Sequence, residues 1–381
     1  MKKFVLSSLS LALISAAGAA HAQSSVTLYG LIDTGLTFSN NSGGERSYQQ
    51  ASGVVNGSRW GLRGSEDLGN GLKAIFVLEN GFDLSTGRSG QNNRMFGRQA
   101  FVGVSGDQVG AVTLGRQYDS VVDYLGPLAL NGTQYGGTLA SHPFDNDNLN
   151  NSVRINNAVK FASADFGGFK FGGLYGFSNA AGSFADSRAY SAGASYTFGG
   201  LTAAAAYLQL NGGGSVSNPA GAVASGDSTF NAARQRTYGG GLNYAFGGGN
   251  VGFVFTQTQL NNASSIGSAA SGIANGFALN GESARFTNYE VNGRYSLTPA
   301  WTVAGAYTFT DARLNGASPK YNQFTLQTDY ALSKRTDVYA EAAYQHVHNT
   351  GNSGITADIV GMSASSTDTQ VVGTVGIRHR F

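Results

Sequence analysis

The chain has 381 residues, with 24 Lys and Arg against 22 Asp and Glu, 41% hydrophobic, 12% charged, 56 Gly, 5 Pro and no Cys. The absence of Cys excludes a disulfide framework, a Cys-based zinc site and a thiol nucleophile. The 23 Phe and 18 Tyr, with almost no net charge, exclude disorder. Past the N-terminus no apolar run approaches the ~18 residues of a membrane-crossing helix. A Gly- and aromatic-rich chain so poor in charge is expected to be mostly β.

The first segment reads as an address. Met1-Lys2-Lys3 is a basic start, Phe4 to Ala19 is apolar, and Ala20-His21-Ala22 fits a small-x-small cleavage site. A signal peptide is therefore expected over 1–22, followed by one barrel domain over 23–381. Loss of Lys2 and Lys3 leaves 22 basic against 22 acidic residues. The working protein is then neutral, and no nucleic-acid partner is implied.

From Gln23 onward the dominant period is two. Sixteen strands are predicted, near 25–37, 58–65, 72–82, 98–105, 110–117, 153–162, 169–178, 188–198, 201–210, 237–246, 250–260, 286–297, 301–311, 321–332, 336–346 and 369–381. In 189–198, Tyr190, Ala192, Ala194, Tyr196 and Phe198 share one face, opposite Ser191, Gly193, Ser195 and Thr197. Segments of about ten residues, tilted, cross a bilayer core. The connections fall into two length classes. Short ones, such as Gly199-Gly200 and Ser333–Arg335, alternate with long ones at 38–57, 83–97, 118–152, 211–236, 261–285 and 347–368. Tight turns on one side and long loops on the other are the layout of an outer-membrane β-barrel. Closure follows because lipid leaves no partner for an open sheet edge. Sixteen strands with small polar inward residues leave room for water.

The last residue is Phe381, and counting back by two gives His379, Ile377, Val375, Gly373 and Val371. A terminal Phe on an apolar face resembles the signal read by the barrel-assembly machinery, with His379 a departure from the usual Tyr or aliphatic residue.

Several blocks carry a wider resemblance: Ser25-Val26-Thr27-Leu28-Tyr29-Gly30, Ser58-Arg59-Trp60-Gly61-Leu62-Arg63-Gly64, Gly97-Arg98-Gln99-Ala100-Phe101-Val102-Gly103, Leu114-Gly115-Arg116-Gln117-Tyr118 and Gly376-Ile377-Arg378-His379-Arg380-Phe381. Together they resemble the general-diffusion porins of Gram-negative outer membranes, most nearly the β-proteobacterial branch. The resemblance implies a sixteen-stranded antiparallel barrel, a homotrimer in a bilayer bearing lipopolysaccharide, and a third loop folded inward to narrow a passage for small ions and solutes. It also maps a cluster of wall arginines onto Arg59, Arg98 and Arg154.

Phase adds to that mapping. Trp60 and Leu62 face one way, so Arg59 and Arg63 face the other. Val153, Ile155, Val159 and Phe161 are read as facing lipid, which puts Arg154, Asn156 and Lys160 in the lumen. The third loop, 118–152, has Asn131-Gly132-Thr133-Gln134-Tyr135-Gly136-Gly137 where the family often carries acidic residues. Asp119 and Asp123 at its start are the nearest candidate counter-charges, with Asp145 and Asp147 towards its end. Inward-phased bases (Arg59, Arg63, Lys73, Arg98, Arg154, Lys160, Lys170, Arg294) outnumber inward-phased acids (Asp33, Glu79, Glu290, Asp329, Glu341). A ring of Arg and Lys favours anions, so an anion-preferring water-filled channel is expected. The alternative is a substrate-specific channel, which would want aromatics lining the lumen. Most aromatics phase outward instead.

Other motifs read as structure. Gly247-Gly248-Gly249-Asn250-Val251-Gly252 fits G-x-G-x-x-G but is followed by strand alternation, not a helix. His346-Val347-His348 puts two imidazoles on one face, yet the sequence shows no third ligand. No catalytic constellation, cofactor site or metal site is expected.

Overall fold

The computed structural model describes residues 24–214, 218–224, 226–267, 277–351 and 353–381. The expected leader, 1–22, lies outside the described residues. The strands are β1 (Ser25–Ser42), β2 (Glu45–Ser52), β3 (Arg59–Gly69), β4 (Leu72–Gly81), β5 (Gln99–Gly106), β6 (Gly110–Gln117), β7 (Ile155–Ser163), β8 (Phe169–Gly176) and β9 (Ala189–Phe198). They continue as β10 (Leu201–Gly213), β11 (Phe230–Phe246), β12 (Gly249–Ile266), β13 (Phe277–Ala278), β14 (Ala284–Ser296), β15 (Trp301–Arg313), β16 (Lys320–Ala331), β17 (Thr336–His348) and β18 (Thr369–Arg380).

All pair antiparallel in one closed sheet of 18 segments. Two positions in the wall are each made of two segments. β2 and β3 both pair with β1, one above the other, and β13 and β14 both pair with β12. Eighteen segments less these two doublings give sixteen strands around the barrel. Closure is made by β1 against β18, with Leu31 opposite Arg380, and by reciprocal backbone bonds of 3.1 Å between Gly30 and Phe381.

The faces invert ordinary burial, as lipid solvent requires. Val26, Leu28, Val102, Leu114, Val251, Phe253, Leu326, Val375 and Ile377 are exposed on the outer face. Thr237, Thr256, Thr258, Gln323, Gln345 and Gln370 are buried on the inner face. The expected two classes of connection are present. Turns such as 70–71, 199–200 and 332–335 alternate with long loops at the other end.

Three features correct the strand reading. The stretch 38–57 is not one loop: β1 runs on to Ser42 and pairs with β2, and only the turn 43–44 and the segment 53–57 leave the sheet. Likewise β11 begins at Phe230 and β12 runs to Ile266, so parts of 211–236 and 261–285 are strand standing above the bilayer. Third, Val153 and Ile155 do not face lipid. They are 1% and 0% exposed and pack inside against Val121 and Leu125 of the third loop. The cause is a bulge. Asn157 takes φ 52°, the β6–β7 register shifts beside it, and the alternation flips.

The third loop, between β6 and β7, crosses the lumen and docks on the inner wall. Two glycines make room for it. A Cβ on Gly172 would lie 2.5 Å from the Tyr124 hydroxyl, and one on Gly193 would lie 2.6 Å from the Tyr124 ring. The wall beneath the loop is therefore flat where the tyrosine lies on it.

Candidate functional site

Where the third loop approaches the early strands, it leaves a cavity of about 850 Å³. Arg59, Arg98 and Arg154 all stand in its wall. Arg59 opens β3 and Arg98 immediately precedes β5, so both sit at the level where the wall strands give way to the loops. Arg154 ends the third loop one residue before β7.

One carboxylate organises them. Glu79 of β4 accepts from Arg98 Nε at 2.7 Å and from the Tyr118 hydroxyl at 3.1 Å, both on Oε1. Its Oε2 accepts from the Tyr29 hydroxyl at 3.0 Å and lies 3.9 Å from Arg59 Nε. Arg98 also donates to the Tyr118 hydroxyl at 3.1 Å, and the Arg154 guanidinium lies 5.9 Å from the Tyr118 ring centroid. Glu79 thus stands among the arginines, not across from them. Two guanidiniums share this carboxylate, a third stands beside them over Tyr118, and the cluster keeps net positive charge. Arg154 Nε is buried with no hydrogen-bond partner among the described residues.

Apart from Arg154, the third-loop part of the cavity wall is neutral. Asn131, Gly132, Thr133, Asn150, Asn151 and Ser152 of the third loop line it. Asp83, from the loop after β4, is the one carboxylate among the described lining residues, and it caps its own turn through Ser85 N at 2.8 Å and Thr86 Oγ1 at 3.0 Å.

The acids expected to answer the arginines are spent elsewhere. Asp119 is fully buried, accepts from Val121 N and Asn148 Nδ2, each at 2.7 Å, and does not line the cavity. Asp123 pairs with Lys160, which also donates to the Tyr118 carbonyl at 2.9 Å. Asp145 accepts from Asn150 N and Ser152 N at 2.9 and 3.1 Å. Burial pushes Asp119 up to about 6 and Asp145 up to about 7, so Asp145 carries only part of its charge at neutral pH.

The other sequence candidates are dispersed. Arg63 lies four residues further towards the short-turn end on the same face as Arg59, over the Tyr29 ring at 5.3 Å. Lys73 and Lys170 sit at the short-turn rim, paired with Asp107 at 3.0 Å and Asp165 at 3.3 Å, and are remote from the arginine cluster. They do not contribute the basic excess assigned to them from phase. Asp329 and Asp337 are held by Arg378 at 3.0 and 2.9 Å.

Two residues that sequence reasoning passed over anchor the third loop. Arg378 is buried and donates to the Gln134 carbonyl at 2.7 Å and to Asn56 Oδ1 at 2.6 Å, besides its two aspartates. Its position was available, since it lies on the face opposite Ile377 and His379. His142 is fully buried: Nδ1 lies 2.6 Å from Asp147 Oδ2 and Nε2 lies 2.9 Å from Glu290 Oε2 of β14. Burial opposes its charge, but the two carboxylates outweigh that and push it up to about 10, so the ring is an imidazolium at neutral pH. Nothing local in the sequence marks it.

Residues 9–352 match the sequence family described as Gram-negative porin. The chain belongs to that family. An outer membrane porin protein of Bordetella pertussis is 34% identical to this porin over the full length of both chains. Outer membrane porin protein 32 of Delftia acidovorans is 29% identical, again over both full lengths. Among solved structures, the anion-selective porin from Comamonas acidovorans superimposes with a TM-score of 0.72 at 25% identity, covering 94% of this chain and all of that one. OmpT of Vibrio cholerae, at 17% identity and a TM-score of 0.64, shares the fold. The family and the closed sixteen-stranded barrel place the porin in the outer membrane. Relatives of this kind are channels, not enzymes.

Proposed function

We propose that the porin is a passive, water-filled channel with a preference for small inorganic and organic anions, and that Arg59, Arg98 and Arg154 form its constriction. The observation that carries this reading is the charge of the cavity wall. Three guanidiniums stand there against one turn-capping carboxylate, Asp83, with Glu79 beside Arg59 and Arg98, and neutral amides and hydroxyls of the third loop complete the lining. A basic ring attracts anions, and low-dielectric walls concentrate its field. The Debye length at 0.1 M salt is roughly 10 Å, so the field spans a narrow passage and weakens as salt rises. The anion selectivity of the Comamonas acidovorans neighbour points the same way. Replacing Arg59 and Arg154 by Gln tests the assignment: the zero-current potential in a salt gradient should move towards cations, and an unchanged potential would remove these residues from the selectivity path.

The same reading takes in the surroundings. The exposed Val102, Val104, Val112 and Leu114 on the outer face of β5 and β6 give an apolar wall suited to a neighbouring copy in a homotrimer. Residues 1–22 serve as the export signal, Phe381 addresses the chain to the barrel-assembly machinery, and the rim meets lipopolysaccharide.

A further inference from the structure

We propose that His346, His348 and Asp368 form a surface site for a borderline divalent transition-metal cation, of which zinc is the type, at the extracellular rim of the barrel. His346 and His348 are i and i+2 on β17, so both point outward, while Val347 between them is fully buried on the inner side. Their rings lie 5.6 Å apart, only 28° from parallel.

The third donor comes from a part of the chain that the sequence does not connect to them. Val347 N donates to the Asp368 carbonyl at 2.8 Å, which fixes the root of β18 beside the residue between the two histidines. The Asp368 carboxylate oxygen then stands 3.6 Å from His346 Nε2. Bonds of 2.0–2.1 Å at a tetrahedral zinc ion put neighbouring donors about 3.3 Å apart, so this pair already spans nearly one edge of such a site.

The remaining step is small. Among the described residues no three such donors already converge on one point. His346 is 38% and Asp368 65% exposed at the side chain, and His348 Nδ1, although buried in this rotamer, has no hydrogen-bond partner among the described residues to give up. The nearby cation does not compete: Lys320, opposite His348 on β16, is held by Asp311 at 2.7 Å.

The level on the barrel suits a cation. One pair down the same ladder, Tyr344 faces Phe324, both exposed as in an interfacial aromatic belt, and Asn322 and Thr369 flank His346. The site therefore lies just above the hydrocarbon, among polar headgroups. Imidazole with one carboxylate selects zinc, nickel or copper over calcium and magnesium, which want an all-oxygen shell. Binding would pin the last long loop, 349–368, to the end of β17.

The test is titration of tag-free porin in detergent with zinc by calorimetry, and with copper by electron paramagnetic resonance. The expected result is one ion per chain, with hyperfine structure from two nitrogens, undisturbed by excess calcium. His346→Ala and His348→Ala should each weaken binding about tenfold or more, since losing an outer partner alone costs that much. Asp368→Asn should weaken it less. His346 and Asp368 reach solvent and His348 is only half-buried, so the variants should keep the wild-type resistance to unfolding on an unheated gel. No binding by the wild type, or equal binding by a His346→Ala/His348→Ala double variant, would overturn the proposal.

Discussion

His142 Nε2 lies 2.9 Å from Glu290 Oε2, so an imidazole of the third loop is fastened to a carboxylate of the far barrel wall. The same Glu290 accepts from Leu130 N at 2.8 Å through its other oxygen, and Asp147 grips the opposite ring nitrogen. All three side chains are fully buried. Removing one partner of such a group leaves an uncompensated buried charge, at about 3–5 kcal/mol. His142→Ala should therefore release the third loop while the barrel ladder stays formed. The check is limited chymotrypsin digestion, with new cleavage at Tyr135 or Leu139 and an intact heat-modifiable barrel.

The same latch sets a pH window. With its folded value raised to about 10, His142 contributes stability that is fully present below its unfolded value of about 6.5 and is lost as pH rises through about 10. Amide exchange in 130–152 should accelerate between pH 8 and 11, measured against the barrel strands as internal reference. In the His142→Ala protein this acceleration should be absent.

Glu79 holds Arg59 and Arg98 together, and Glu79→Gln removes the charge with little change of shape. Arg98 then loses its 2.7 Å ionic partner and the arginines repel one another. The variant should be more anion-selective than the wild type and should melt at a lower temperature. Bilayer recordings and thermal unfolding in detergent measure the two effects separately.

Gly30 and Phe381 close the barrel seam. A Cβ at Gly30 would come within 2.3 Å of the Phe381 ring and 2.8 Å of the Arg59 carbonyl. Gly30→Val should expel the ring and reduce the yield of assembled protein in the outer membrane. Deleting Phe381 should do the same, with increased degradation in the periplasm. Unchanged surface levels in both would show that this contact is dispensable.

What could be read in the sequence followed the period. β12 alternates Val251 and Phe253 outward with residues that turn inward, and such strands were legible because one face meets lipid and the other does not. Periodicity fails where the backbone slips. Arg154 lines the cavity, yet phase does not put it there, because the Asn157 bulge turns Ile155 inward. It fails again where a loop folds on itself. Asp119, Asp123 and Asp145 were visible as charges, but their capture by Asn148, Lys160 and Ser152 depends on a loop conformation with no repeat. His142 was hidden for a third reason: its partner Glu290 is 148 positions away, and neither residue signals the other. Glu79 was read as an opposing acid because phase gives the face and not the neighbours.

The central claim is that the unmatched arginines make the channel prefer anions, and the zero-current potential of the wild-type porin tests it most directly. Purified protein in a planar bilayer, with a tenfold potassium chloride gradient across it, should give a potential of the anion-selective sign that shrinks towards zero as both salt concentrations are raised. A potential of the cation-selective sign would contradict the account and would mean that carboxylates, not Arg59, Arg98 and Arg154, govern the passage.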